Sequence, residues 1–535
     1  MTNRIRAREP EGEVRPGRRL TARDELAPFL EDEAHFPGGH APCVLLPRTE
    51  GEVAHALREA PTALPVGARS SLTGGATPFG DWVLALERMD ALQVGPGERV
   101  TAQAGVPIQA LQTALDGRGF WYPPVPTFMG ALVGGVVSTN AAGAATFKYG
   151  ATREWVRKLT VVLACGEVLE LERGQAKAHP GGWFEVQTRS RGLVTVPLPT
   201  YRMPAVSKRS AGYHAEPEMD PIDLFIGSEG TLGVVTAAEF AVVRKDFSVL
   251  VAMVPLRDEP SALALVSALR EASLATRSGQ TPGGLDVSAV EYLDARCLRI
   301  LTEDGEARKN GVTFAPEDGA AVLLQAELPG SVDAEAAFDQ IGSFEESTAP
   351  DTPLIRLCRL LARHGAVERM EVAVPGDTAR AAQLFAIREA VPVGVNQRVG
   401  RLKRELHPSI QKVAADMVVP YENFAEMMSL YRAEFERRGL DHAIWGHVSD
   451  GNVHPNVIPR GLEDVESGKA AVFSFGREVA RLGGCPLSEH GTGRNPVKQQ
   501  LLRQLYGDEG LEQMRAVKRA LDPEWKLAPG VIFSR

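Results

Sequence analysis

Residues 122 to 150, YPPVPTFMGALVGGVVSTNAAGAATFKYG, are the stretch that most restricts the fold of this chain. Glycine, alanine, serine, threonine and valine dominate the segment and leave almost no large side chains. Such a segment is expected to be buried, and glycine is unfavourable in regular structure unless the backbone turns sharply or is approached closely. The pattern therefore predicts either a small-residue turn region in a packed core or a main-chain surface that contacts a large, flat ligand.

Length, charge and cysteine usage exclude several classes of protein. The 535 residues are enough for two or three domains. A net charge of −9 and the lack of a long basic run argue against nucleic-acid binding. The five cysteines form no CxxC motif, which argues against an iron–sulfur or zinc-ribbon module and is typical of the cytoplasm. We see no signal peptide or spanning segment, and expect a cytoplasmic protein that is either free or peripheral at a membrane.

Two segments carry no motif. The first twenty residues contain six arginines and three glutamates without an apolar stripe, so residues 1–40 are predicted to be a solvated N-terminal leader. Residues 173–200 show no clear periodicity and are expected to be irregular.

The segment LPVGARSSLTGGA, residues 64 to 76, follows a predicted strand. Consecutive small residues allow successive backbone N–H groups to point to one side, and the hydroxyl groups add donors for an anion. The segment lacks the GxxxxGK[S/T] pattern of a Walker loop. On this pattern alone it is either a phosphate-binding loop or a mobile polar loop.

A third motif, GSEGTLG at residues 227 to 233, precedes a valine-rich strand. The three motifs in this order resemble the FAD-binding domain of the vanillyl-alcohol oxidase/p-cresol methylhydroxylase (PCMH-type) superfamily over residues 41–245. The resemblance implies FAD held in an extended pose between two α+β subdomains. Some relatives attach the flavin covalently through a histidine of the first loop, and since residues 68–75 contain none, we expect non-covalent FAD.

The resemblance implies a set of cofactor-binding residues in the three motifs. They are Gly67, Ala68, Arg69, Ser70, Ser71, Leu72, Pro126, Gly130, Gly134, Gly135, Ser138, Asn140, Gly143, Tyr149, Gly150, Glu229, Gly230, Gly233, Val234 and Val235.

From residue 246 onward, predicted strands alternate with helical stretches and carry no glycine motif. This pattern predicts an antiparallel sheet covered by helices, which in the same superfamily is a cap domain, here residues 246–480. The amphipathic helices of residues 481–535 are expected to return to the FAD domain and complete the active site. The predicted fold class is therefore α+β.

The segment AIWGHVSDGNVHPNVIP places His447 and His454 on either side of a predicted tight turn, and SEHGTG adds Glu489. Two neutral imidazoles and a carboxylate make an open site for a divalent ion such as Zn²⁺ or Mn²⁺. The alternative is two turn histidines whose rings are satisfied by backbone hydrogen bonds.

GHVSDGNVH together with SEHGTG resembles the C-terminal half of FAD-linked D-2-hydroxyacid dehydrogenases, which extends the resemblance to residues 41–535. It implies that His447, His454 and Glu489 are metal ligands and that His490 is the catalytic base. Arg388 resembles the position that binds the substrate carboxylate, although a solvated helix face would also explain it. Asn452 is a further candidate catalytic residue.

This sequence departs from the family pattern at two positions. Ser449 replaces the glycine most common in the histidine motif, and Ala528 replaces the asparagine of the closing LNPG motif. The first change is expected to move the turn slightly, and the second removes a polar side chain near the flavin.

The resemblance predicts metal-assisted oxidation of a small D-2-hydroxy acid, such as D-lactate, glycolate or 2-hydroxyglutarate, by hydride transfer to FAD. Alternatives are an alkyl-glycerone-phosphate-synthase-like flavoenzyme, an oxidase of aromatic alcohols and a non-catalytic flavin subunit of an oxidase complex. The sequence leaves open which hydroxy acid is preferred, whether quinone, protein or oxygen accepts the electrons, and whether the chain forms a homodimer.

Overall fold

The computed structural model describes residues 2–535, which divide into two compact units. The first comprises residues 2–143, Gly150–Arg244 and Cys485–Arg535, and the second comprises Ala144–Tyr149 and Lys245–Gly484. Among residues 2–535, no helix combines the length and the apolar composition needed to cross a lipid bilayer.

The larger sheet of the first unit has eight strands. All neighbouring strands are antiparallel except one parallel pair, Arg4–Arg8 with Trp183–Thr188. The order is Gly192–Pro197, Trp183–Thr188, Arg4–Arg8, Val168–Glu172, Val156–Val162, Val234–Ala241, Arg99–Gln103 and Leu92–Val94.

A four-stranded sheet lies in the same unit, in the order Arg18–Leu20, Val44–Leu46, Trp82–Ala85 and Ala63–Val66. Two of its three pairings are parallel, and Phe120–Trp121 pairs separately with Val243–Arg244. The helices are Arg23–Leu26, Ala27–Phe29, Glu50–Glu59, Leu86–Arg88, Ile108–Asp116, Val133–Ser138, Thr152–Trp155, Ile222–Phe225 and Pro496–Leu521.

The sheet of the second unit is antiparallel throughout. Its order is Glu371–Ala373, Phe247–Leu256, Ala320–Pro329, Asp286–Asp294, His442–Gly446, Asn452–Val457 and Val413–Ala414, and Met417–Val418 also pairs with Asn452–Val457. The helices are Thr146–Tyr149, Glu259–Arg277, Ala295–Glu303, Glu306–Lys309, Ala334–Ser343, Pro353–Arg363, Thr378–Glu405, Tyr421–Asn423, Phe424–Arg438, Val448–Asp450 and Leu462–Arg481. The predicted α+β class is confirmed.

The prediction of a solvated leader was wrong for part of residues 1–40. Arg4–Arg8 pairs with strands on both sides, and Ile5 is buried. A five-residue strand with one buried apolar residue gives almost no periodic signal, and its partners lie far along the chain.

Residues 173–200 are also more regular than predicted, because Trp183–Thr188 and Gly192–Pro197 form an antiparallel hairpin. Its buried side chains are Phe184, Val186, Thr188 and Val196. The alternation of WFEVQT was present in the sequence but spans only three apolar positions, and a sheet partner was needed to establish the strand.

Backbone hydrogen bonds and one buried charged residue attach the C-terminal residues to the rest of the first unit. Ala63 donates its N–H to the carbonyl of Lys526 at 2.8 Å, and Ala528 donates to the carbonyl of Ala63 at 2.7 Å. The buried Lys518 ammonium donates to the carbonyls of Thr231 and Leu527 and to the carboxylate of Asp522, each at 2.7 Å. One cation thus connects Thr231 to the C-terminal residues 518–527.

Lys518→Ala is expected to lower the free energy of unfolding by about 3–5 kcal/mol, because it leaves the Asp522 carboxylate and two carbonyls buried without this donor. Arg519→Ala is the matched control on the same helix, since its partner Glu512 is exposed and such a pair contributes about 1 kcal/mol or less. Urea unfolding followed by tryptophan fluorescence measures both variants. Equal stability of the two variants would show that the buried ammonium is unimportant.

Candidate active site

A cavity of about 290 Å³ lies within the first unit and is lined by all three motifs of the sequence. Two residues of the C-terminal segment, Glu489 and His490, also line it. The predicted cofactor residues found in the lining are Gly67, Ala68, Arg69, Ser70, Ser71, Leu72, Pro126, Gly134, Gly135, Ser138, Glu229, Gly230, Gly233 and Val235.

Adjacent glycines of the central segment have different packing roles. A Cβ atom at Gly134 would lie 2.8 Å from the Cβ atom of Ala104, so this glycine allows close packing of the helix Val133–Ser138. A Cβ atom at Gly135 would meet no atom within 4 Å, and this residue lines the cavity. The cavity wall at Gly135 is therefore main chain, as contact with a large, flat ligand requires.

The first loop combines hydroxyl groups with a guanidinium. Ser71 accepts a hydrogen bond from the N–H of Thr73 at 3.2 Å, and their hydroxyl oxygens lie 3.1 Å apart. The Arg69 guanidinium lies 4.5 Å from the ring centre of Phe29. Its Nη1 is buried, has no hydrogen-bond partner among residues 2–535 and is 3.7 Å from the Glu87 carboxylate. This donor set suits an anionic diphosphate, so the residues present fit FAD.

Glu229 lines the cavity but directs its carboxylate to the C-terminal segment. Its two oxygens accept the N–H groups of Thr492 and Gly493, each at 2.8 Å. Burial raises the pKa of Glu229 to about 7, while these two N–H groups and the charge of Lys498 act in the opposite direction. The backbone of Glu229 has φ +51°, a left-handed conformation that is unfavourable for a non-glycine residue.

Six predicted cofactor residues do not line this cavity. The carbonyl of Val125 lies where a Cβ at Gly143 would be, Asn140 accepts the N–H of Arg153, and Val234 is fully buried in a strand. The other three are Gly130, Tyr149 and Gly150. Tyr149 belongs to the second unit, where its hydroxyl donates to Glu327 at 2.9 Å.

Glu489 is paired with Lys208, whose side chain is completely buried within the first unit. Lys208 was not among the predicted site residues. A lysine close to the small-residue segment SAGY was the sequence feature that could have indicated it. A predicted metal ligand thus has a cationic partner that compensates its charge and orients its carboxylate.

In the second unit, the hairpin of His442–Gly446 and Asn452–Val457 carries His447 and His454. Their ring centres are 5.7 Å apart, with planes at 88°. Gly451 permits the turn, because its φ is +77° and a Cβ would lie 2.5 Å from the Val419 carbonyl oxygen. The structure thus brings the two predicted histidine ligands together.

Glu291 holds both His447 and Arg388. Its carboxylate accepts from Nδ1 of His447 and, at 2.8 Å, from Nε of Arg388. Burial opposes ionisation of Glu291, but its contacts with His447 and Arg388 outweigh the effect of burial and hold its pKa well below the usual range. An Nδ1–H that donates to a carboxylate fixes the tautomer in which Nε2 carries the lone pair for a metal.

A second buried carboxylate accompanies His454, whose Nδ1 lies 3.4 Å from Asp416. Asn452, a predicted catalytic residue, donates its amide to the carbonyl of Met417 at 2.9 Å, which is a structural contact. Ser449 also has a structural partner, because its hydroxyl accepts the N–H of Val290 at 3.1 Å. This departure from the family pattern therefore ties the turn to the strand that carries Glu291.

Comparisons with known proteins identify the family of the chain. The family model described as FAD linked oxidases, C-terminal domain, matches residues 256–532, more than half of the chain. The chain belongs to this family. A second model, described as FAD binding domain, matches residues 41–172. The predicted membership of the FAD-linked superfamily is confirmed.

Three named relatives align over nearly the whole length of the chain. It is 27% identical to D-lactate dehydrogenase of Anaerostipes hadrus, over 97% of this chain and 95% of the relative. It is 26% identical to glycolate oxidase subunit GlcD of Bacillus subtilis (92% and 89%) and 27% identical to the mitochondrial D-2-hydroxyglutarate dehydrogenase of Bos taurus (96% and 81%).

A solved structure of an alkyldihydroxyacetonephosphate synthase shares the fold, with a TM-score of 0.57 and 14% identity. The match covers 96% of this chain and 82% of the other. At this identity the likeness concerns the fold alone.

The predicted metal ligands belong to different units. His447 and His454 lie in the second unit, whereas Glu489 and the predicted base His490 lie in the first. Their joint role stays a prediction. At the other family departure, Ala528 has φ +43° and donates its N–H to Ala63, so alanine occupies a conformation that suits asparagine better.

Gly135→Leu is expected to abolish FAD retention without unfolding the protein, because the new side chain would enter the cavity and meet no neighbouring atom at Cβ. Gly342→Leu is the control, since this helical glycine also has open space around it. Flavin absorbance per protein and thermal unfolding measure the two effects. Normal FAD content in Gly135→Leu would show that the cofactor binds elsewhere.

Proposed function

We propose that this protein is an FAD-dependent oxidoreductase that oxidises a small D-2-hydroxy acid to the 2-oxo acid. The observation that carries the proposal is the placement of His490, which lines the same cavity as the predicted cofactor loops. Membership of the FAD-linked oxidase family and the names of the relatives support the reaction class.

The reaction separates one proton from one hydride. Bound FAD supplies the acceptor for the α-hydrogen and its electron pair. His490 takes the hydroxyl proton, and the C–O bond becomes a carbonyl. The FAD is non-covalent, because residues 68–75 contain no histidine to attach it.

A bound divalent ion, Zn²⁺ or Mn²⁺, would lower the pKa of the substrate hydroxyl. His447 and His454 are its proposed ligands, and the carboxylates of Glu291 and Asp416 at their Nδ1 atoms support this assignment. Glu489 is the proposed third ligand. Two nitrogen donors and one oxygen donor suit these metals.

Arg388 is the proposed binding residue for the substrate carboxylate. Glu291 contacts its Nε, which orients the planar guanidinium on the helix Thr378–Glu405. A guanidinium presents five N–H donors in a fork that matches a carboxylate. The contact with buried Glu291 also argues against the alternative of a solvated arginine.

Anaerobic mixing with a panel of D- and L-2-hydroxy acids should bleach the flavin absorbance with D-isomers and leave it unchanged with L-isomers. His490→Ala should slow this bleaching by about a hundredfold or more, the usual contribution of a general base. His179→Ala is the control, because this histidine stacks on Trp183 away from the cavity lining. No bleaching by any hydroxy acid would exclude the proposed substrate class.

Glu291→Gln is expected to weaken metal binding by about 10- to 100-fold, since an amide holds the His447 ring less firmly than a carboxylate. Elemental analysis after dialysis against graded chelator concentrations measures the loss. Glu335→Gln, an exposed position of the same unit, should retain the metal. Unchanged metal content in Glu291→Gln would remove the support for a site at His447.

A further inference from the structure

The loop that follows His490 is built around a single carboxylate. Glu229 accepts the N–H of Thr492 at Oε1 and the N–H of Gly493 at Oε2, both at 2.8 Å. A Cβ atom at Gly491 would lie 2.9 Å from Oε1, so the carboxylate also packs directly on this glycine. All three residues immediately after the predicted base therefore contact one side chain.

The backbone N–H groups of this loop need a hydrogen-bond acceptor from outside the loop. Gly491 and Gly493 have φ values of +74° and +56°, left-handed conformations outside any helix or strand. Consecutive N–H groups in such a turn point to one side and form an anion-binding nest. Here the anion is supplied by the chain itself, since Glu229 occupies the nest.

Glu229 is in turn fixed to the cofactor cavity. Its own N–H donates to the carbonyl of Ser138 at 2.8 Å, at the end of the glycine-rich helix. The other side of the loop is held by the first motif, because Arg494 donates its N–H to the carbonyl of Thr73 at 3.0 Å. Glu229 is the contact that joins the loop to the glycine-rich segment.

We propose that Glu229 is a positioning residue, which from the cofactor cavity holds the loop 491–493 and thereby sets the place of His490 and Glu489. The sequence resemblance had assigned Glu229 to the cofactor. The proposal rests on the proposed role of His490 as the base. The left-handed backbone of Glu229 is consistent with a functional constraint, because such strain persists only where the surroundings impose it.

Only a carboxylate of this length satisfies both donors. Glutamine keeps one acceptor but turns an NH₂ group towards the second N–H, and aspartate keeps both oxygens but is one methylene shorter. Glu229→Gln should therefore release one amide, and Glu229→Asp should show a smaller effect. A displacement of about 1 Å at the base is enough to slow a reaction by about a hundredfold.

The first experiment measures the loop directly, by amide hydrogen exchange of peptides covering residues 488–496 in the purified FAD-loaded protein. Glu229→Gln should accelerate exchange at Thr492 or Gly493 by about tenfold, the scale of one lost hydrogen bond, and leave peptides of the second unit unchanged. Glu239→Gln, in the next strand and paired with Arg99, is the control. Unchanged exchange in Glu229→Gln overturns the proposal, and so does faster exchange throughout the protein.

The second experiment tests whether the loop matters for the chemistry. Glu229→Gln should slow flavin reduction by about 10- to 100-fold with little change in KM or FAD content. In a His490→Ala background the same substitution should have little further effect, because both changes remove one function. Additive losses in this double-mutant cycle, or loss of FAD, would overturn the positioning role.

The two experiments separate this inference from the proposed function. If no hydroxy acid reduces the wild-type flavin, the proposed function fails, and the exchange measurement still decides whether Glu229 holds the loop. If hydroxy acids do reduce it and Glu229→Gln changes exchange but not the rate, the proposed function stands and the positioning role is overturned.

Discussion

The hydrogen bonds of the buried Lys518 ammonium hold the C-terminal segment in the first unit. The ammonium joins the carbonyls of Thr231 and Leu527 to the Asp522 carboxylate, and so connects the last part of the chain to the loop that precedes the strand Val234–Ala241. Glu489 and His490 line the cavity because this C-terminal segment folds back onto the first unit. Buried charges are tolerated when fully paired, and Lys518 has a partner for each of its three N–H groups.

Small residues, rather than polar ones, create the open space of the cavity in the first unit. Gly134 lets a helix approach Ala104, while Gly135 presents bare main chain to the open space. A large planar cofactor needs such a surface, since a side chain at Gly135 would occupy its place. Hydrogen-bond donors lie in the first loop, where Arg69 and the hydroxyl groups of Ser71 and Thr73 could bind the proposed diphosphate.

Two imidazole rings of the second unit each have a buried carboxylate nearby. His447 and His454 lie on one hairpin of an antiparallel sheet, and a carboxylate accompanies Nδ1 of each ring. Glu291 serves two residues at once, because it contacts both His447 and Arg388. Its position in the strand Asp286–Asp294 means that the rigid sheet, rather than a loop, orients these side chains.

The sequence by itself determined the FAD-linked family, the α+β class, the antiparallel sheet of the second unit and the three motifs that line the cavity, because these features reside in contiguous motifs and local periodicity. It did not reveal the strand Arg4–Arg8, whose pattern is too short, nor the partners of the charged residues. Only the tertiary structure decided that Lys208 pairs with Glu489, that Glu291 contacts His447, and that Glu229 serves a loop 263 residues away. Such pairings depend on which distant segments share a buried region, where an unpaired charge is costly, and sequence spacing carries no record of that proximity.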